Sequence, residues 1–104
     1  MIHETIRRRG TTLVKRLVLE PGEATAWHRD PYHRVTVIVR GDALAIEYSD
    51  HAEPQRISVS AGQVDWDAPT DRKHRAVNVG VATYEEVAIF FLDHPDAVPQ
   101  PPAE

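Results

Sequence analysis

A chain of 104 residues with a formal net charge of −4 has room for one domain with a modest core and none for a separate cofactor domain. The acidic balance and mixed signs argue against a nucleic-acid or membrane-surface partner, because binding to phosphates needs a net basic face. The absence of cysteine excludes a disulfide framework, a thiol nucleophile and a thiolate zinc site; with no long apolar run and no signal-like N-terminus, a cytoplasmic protein is expected.

Residues 1–10 alternate weakly and carry Arg7, Arg8 and Arg9, which reads as an arm or an edge strand whose charges discourage unwanted pairing. Residues 11–20, TTLVKRLVLE, have the two-residue period of a strand. Leu13, Lys15, Leu17 and Leu19 share one face, and Val14, Arg16 and Val18 share the other. Pro21 and Gly22 turn the chain, residues 24–28 read as a short strand, and Pro31 breaks the run up to His33 into a loop. Residues 35–40 are β-branched and mostly apolar, as a buried strand requires.

Gly41 and Asp42 form a hairpin-type turn, residues 43–48 a strand, residues 49–54 a turn, and residues 55–60 a strand with Ile57 and Val59 on one face. Residues 63–66 give a further short strand. Trp27 and Trp66 suit core packing first and a pocket rim second. Asp65 and Asp67 read as a solvated turn, and His3, His51 and His94 as surface residues. Residues 68–78 put His74, Ala76 and Asn78 on one strand face. Residues 84–92 form the last apolar strand, and residues 93–104 a proline-rich extended tail. Recurrent turns and the lack of any helical period predict an all-β sandwich or barrel.

Two spacings carry more than a fold class. Five residues separate Gly22 from His28, one separates His28 from Asp30, three separate Asp30 from Arg34 and six separate Arg34 from Gly41. Downstream, Pro69, Asp71, His74 and Asn78 follow at gaps of one, two and three residues. Together these resemble the two motifs of the cupin family, over residues 11–92 of the chain. Among cupins the sequence is similar to the small single-domain proteins of the RmlC-like conserved-barrel type. It departs from the pattern at three places: Asp30 stands for the second histidine, Arg34 for the glutamate, and Asp71 for a glycine, where a short polar side chain tolerates a left-handed turn.

The resemblance implies an all-β cupin barrel of jelly-roll type, commonly dimeric, with ligands converging in its interior. Apolar residues on both faces of residues 13–19 likewise call for a covering layer on each side and predict a homodimer. It carries metal ligation over to His28 and His74 alone. Asp30 joins them by strand chemistry, since residues two apart point the same way. Two imidazoles and one carboxylate are the donor set of a facial triad, which suits a divalent metal such as Fe2+, Mn2+ or Zn2+. Arg34 opposes it: at ~6 Å and an effective dielectric of ~20, arginine and a divalent ion repel by on the order of 5 kcal/mol. In the metal-free alternative, Asp30 pairs with Arg34 and the histidines hydrogen-bond within a polar pocket. Arg34, His33 and Tyr32 are the expected contacts of a polar or anionic small molecule. The reading is a ligand-binding cupin with oxygenase, isomerase or lyase chemistry, against a non-catalytic binding or sensor domain.

Overall fold

The computed structural model describes residues 1–94, which form nine strands: β1 (Ile2–Arg9), β2 (Thr12–Leu19), β3 (His28–Asp30), β4 (His33–Arg40), β5 (Ala43–Tyr48), β6 (Gln55–Ser58), β7 (Val64–Asp67), β8 (Thr70–Asn78) and β9 (Tyr84–Phe91). All ladders are antiparallel. One sheet runs β1-β2-β9-β4-β7 and the other β3-β8-β5-β6. The expected all-β jelly roll is present, with one difference: the ladders do not close into a barrel, and two open sheets face each other. No helix of the described residues is long and apolar enough to cross a membrane. The expected tail lies, from residue 95 onward, outside the described residues.

The two-residue period of each strand sorts its side chains between the sandwich interior and the outer surface. Leu13, Lys15, Leu17 and Leu19 of β2 turn inward; Arg34, Thr36 and Ile38 of β4 and Tyr84, Glu86 and Phe90 of β9 do the same. Leu17, Leu19, Ile38, Leu44 and Tyr84 form the core, with Val59 packed against it. Each such side chain, fully buried, contributes about 1.5–3 kcal/mol. The core borders the interior cavity, since Leu17, Ile38, Leu44, Val59 and Tyr84 also line it.

Two turns are locked by close contact. Gly41 has φ +143, and a Cβ there would come within 2.8 Å of the Tyr84 ring, so the β4–β5 turn needs glycine. Asp42 accepts hydrogen bonds from the backbone N–H of Ala43 and of Val81, each 3.0 Å, tying this turn to the loop before β9. Asn78, 1% exposed, donates to the carbonyls of Leu19 (2.8 Å) and Ala82 (2.9 Å) and accepts from Gly80 N–H (3.0 Å). Its motif position therefore serves the fold, satisfying backbone groups that burial cuts off from water.

Some local expectations need correction. Residues 24–27 are not a strand: Ala24 makes an isolated bridge to Val77, and regular pairing starts at His28. Thr25 N–H bonds the Ala76 carbonyl, and Ala76 N–H bonds the Thr25 hydroxyl, so a side chain stands in for part of the ladder. Asp71 lies inside β8 without positive φ, so no left-handed turn replaces the family's glycine there. The tryptophans are not core residues. Trp27 is 40% and Trp66 58% exposed; Trp27 lies under the Arg75 guanidinium and Trp66 stacks on Phe91.

Candidate functional site

Short β3 lies along β8 at the sheet edge, with His28 opposite His74 and Asp30 opposite Thr70. The irregular register between those pairs gathers the three side chains. His28 Nε2 lies 3.3 Å and His74 Nε2 2.9 Å from Asp30 Oδ2, and one donor atom of each residue lies within 4.8 Å of the others. Asp30 and His74 are buried, and the His28 and His74 rings are 4.6 Å apart.

Backbone carbonyls fix both imidazoles. His28 Nδ1 lies 2.7 Å from the Ala26 carbonyl and His74 Nδ1 2.8 Å from that of Arg72. A carbonyl only accepts, so each Nδ1 carries a proton and each neutral ring presents its Nε2 lone pair to Asp30. Three acceptors then share one point. That arrangement is stable when a proton or a cation lies between them. Metal–ligand bonds of about 2.1 Å at tetrahedral to octahedral angles give ligand separations of about 3.0–3.4 Å; the His28–Asp30 distance of 3.3 Å falls in this range and the His74–Asp30 distance of 2.9 Å lies just below it. The carbonyls supply the outer hydrogen bonds that orient histidine ligands.

Protons suit the same geometry. Burial opposes charge on His28, but the Asp30 hydrogen bond and the Ala26 carbonyl outweigh it and raise its pKa. Burial would also raise Asp30; the hydrogen bonds from His28 and His74 and the Arg34 charge prevail and hold its carboxyl far below the ordinary range.

Arg34 occupies the expected position on β4 and donates Nη1 to Asp30 Oδ2. Its Nε donates to Asp67 Oδ2 at 3.3 Å. Asp67 is thus a partner in the site rather than part of a solvated turn, because β7 pairs with β4 in a register that sets Asp67 opposite Arg34. Burial works against the guanidinium's charge, yet Asp30, Asp67 and Glu86 raise its pKa. One cation between two anions weakens the repulsion that Arg34 would otherwise exert on a metal.

A cavity of about 600 Å³ opens beside these residues, lined by Tyr32 and Arg34 and also by His3, Lys15, Arg72 and Glu86. His33 is not in its lining. Because Arg34 faces in, strand alternation turns His33 to the outer face, where its Nδ1 accepts from Trp66 Nε1 at 2.9 Å and its ring lies 4.1 Å from that of His94. His3 is exposed, as expected, and the pairing of β1 with β2 also sets it at the cavity's border. Lys15 and Glu86 were legible as charges on otherwise apolar strand faces.

Glu86 accepts a hydrogen bond from the Tyr84 hydroxyl at 2.8 Å. Burial raises its pKa, against the opposing effects of Tyr84 and Arg34. A carboxyl with a raised folded-state pKa favours the folded state below its unfolded pKa, and that contribution is lost as pH rises through the folded value. Glu86→Gln keeps an acceptor for Tyr84 and removes the charge. Its melting temperature should match wild type near about pH 4, where glutamate is largely protonated, and exceed it increasingly toward neutrality; a constant gap across pH would contradict this.

No family model matches the sequence, and no curated protein matches it. Solved structures do. A cupin domain from Bordetella pertussis Tohama I superposes with TM-score 0.75 at 20% identity, covering 86% of this chain and 90% of that one. An RmlC-like cupin family protein with a double-stranded β-helix fold from Methanocaldococcus jannaschii gives TM-score 0.70 at 16% identity, covering 88% and 79%. A conserved protein with a double-stranded β-helix domain from Klebsiella pneumoniae gives 0.66 at 18%, covering 88% and 76%. Identities this low speak to fold, and function rests on the site itself.

Proposed function

Given that the chain has the cupin fold, we propose that it is a cytoplasmic small-molecule-binding cupin. A divalent metal, Fe2+, Mn2+ or Zn2+, would be held by Nε2 of His28, a carboxylate oxygen of Asp30 and Nε2 of His74. The observation that carries this reading is the pair of carbonyl-locked Nδ1 atoms, which leave both Nε2 lone pairs converging on one carboxylate oxygen. When bound, such a metal supplies polarisation of a carbonyl or activation of water or dioxygen, the chemistry of oxygenases, isomerases and lyases. The chain's own residues hold the ligands in place, line a cavity that limits water, and present Tyr32 and Arg34 to a polar or anionic substrate.

Elemental analysis of untagged protein, before and after chelation, tests the proposal. About one metal per chain is expected, with a fall in melting temperature on its removal and recovery on reloading. Protein that takes up no Fe2+, Mn2+ or Zn2+ and melts identically throughout would leave the second reading, a metal-free binding or sensor cupin. The Arg34–Asp30 ion pair favours that alternative, because it supplies a cation to the carboxylate without any metal.

We also propose a homodimer. The outer face of the β2-β9-β4-β7 layer carries Val14, Val87, Ile89, Val35, Val37 and Trp66, the alternates of the inward residues. Such a face gains by burial against a second copy. Sedimentation at micromolar concentration should show a dimer, and a monomer throughout would contradict this.

A further inference from the structure

We propose that Lys15, with His3 beside it, anchors the carboxylate of an anionic ligand on the cavity wall opposite His28 and His74. This deepens the small-molecule reading of the cavity and rests on it. Four lysine and arginine residues line the cavity and only one lacks a hydrogen-bond partner among the described residues; Arg29 donates Nε to the Asp71 carbonyl at 3.0 Å. Arg34 is bonded to Asp30 and Asp67. Arg72 is bonded to Asp50 and lies over the Tyr48 ring, its guanidinium carbon 3.7 Å from the centroid. Lys15 lines the same cavity between Leu13 and Leu17, and its ammonium has no hydrogen bond or carboxylate partner among the described residues; its Nζ lies 6.0 Å from the centre of the Phe90 ring.

Lys15 is half-buried and lines the cavity, so its ammonium faces whatever binds there. A ligand carboxylate accepts a charge-assisted hydrogen bond from it, stronger than one between neutral groups. His3 completes the subsite. With Thr5 opposite Lys15 and His3 opposite Leu17, His3 and Lys15 are diagonal cross-strand neighbours, within about 7–8 Å. Desolvation and the Lys15 charge lower the His3 pKa, and its imidazole offers the ligand a hydrogen-bonding partner. The subsite on β2 and the triad on β3 and β8 line the same cavity from its two sheets. A ligand spanning both walls has a carboxylate at one end and a second oxygen function at the other. The substrate class is therefore a small carboxylic acid bearing a hydroxyl, keto or second carboxyl group.

Succinate is a suitable probe, titrated by calorimetry into metal-free and Zn2+-loaded protein. Lys15→Met keeps the length of the side chain and removes its charge. It should weaken succinate binding about tenfold to hundredfold, the scale of one charge-assisted hydrogen bond, in both forms of the protein. Lys15→Arg should retain most of the affinity. Zn2+ affinity and melting temperature of Lys15→Met should stay at the wild-type level, which shows that the fold and the triad are intact. Lys15→Gln stands in if the methionine variant does not fold. Succinate bound equally by wild type and a folded neutral variant overturns the subsite, as does a wild type that fails to bind succinate in either form. Failure to take up Zn2+ would instead sink the metal reading alone, since the metal-free titration still tests Lys15.

Discussion

Arg34→Glu is expected to lower the melting temperature of the metal-free protein by at least about 10 °C and to enlarge the stabilisation that Zn2+ or Mn2+ provides. The guanidinium bridges Asp30 and Asp67, and Glu86 contributes to its electrostatic surroundings. A carboxylate in its place removes the cation from both partners and adds a third anion beside them. Breaking a buried pair by removing one partner costs about 3–5 kcal/mol, and in a domain near this size each kcal/mol moves the melting temperature by about 4–8 °C. The crowded carboxylates would raise at least one pKa among them, so acidification should recover part of the loss. The same glutamate adds a carboxylate donor beside the triad, so a metal should restore more stability to the variant than to wild type. Melts of both proteins with and without each metal check this. A metal-free variant as stable as wild type would show that Arg34 does not hold the network together.

His74→Ala should abolish metal uptake while leaving a folded protein. His74 is buried on the central part of β8, and its Nε2 is the closer of the two imidazole nitrogens to Asp30. Its removal leaves two protein donors of three, and a loss of more than about a hundredfold in Zn2+ affinity is expected, beyond the range seen when only an outer hydrogen bond to a ligand is removed. The stability cost in the metal-free state is about 1–3 kcal/mol, set by the lost hydrogen bond to a buried carboxylate. Competition with a chromophoric chelator measures the affinity, and His51→Ala, at an exposed position outside the triad, serves as the control that should leave Zn2+ affinity unchanged. Wild-type Zn2+ affinity in His74→Ala would remove the triad as the metal centre.

Much of the architecture was written locally. Strand alternation needs only neighbouring residues, so the nine-strand pattern was largely readable from apolar periodicity and turn residues, apart from residues 24–27, where a hydroxyl replaces strand pairing. The same rule brought His28 and Asp30 to one side, and the two motif spacings added His74 across the ladder. Alternation alone cannot say which face is inward when both are apolar. Along β4, His33 and Arg34 must point oppositely, but only packing against the second sheet decides that Arg34 enters the cavity and His33 joins Trp66 outside. Trp66 misled for a related reason: its bulk suggested the core, whereas β7 is an edge strand whose inward positions belong to Asp65 and Asp67.

Long-range pairing decided the remaining chemistry. Asp67 meets Arg34 across 33 residues of sequence through the β4–β7 register, and His3 reaches the cavity because β1 extends the sheet beside β2. No local pattern encodes either contact. The sequence by itself determined the strands, their faces and the two histidines; the tertiary structure determined which charges are paired and left Lys15 without a carboxylate partner among the described residues, because electrostatic neutralisation depends on distances between strands that composition and period do not specify.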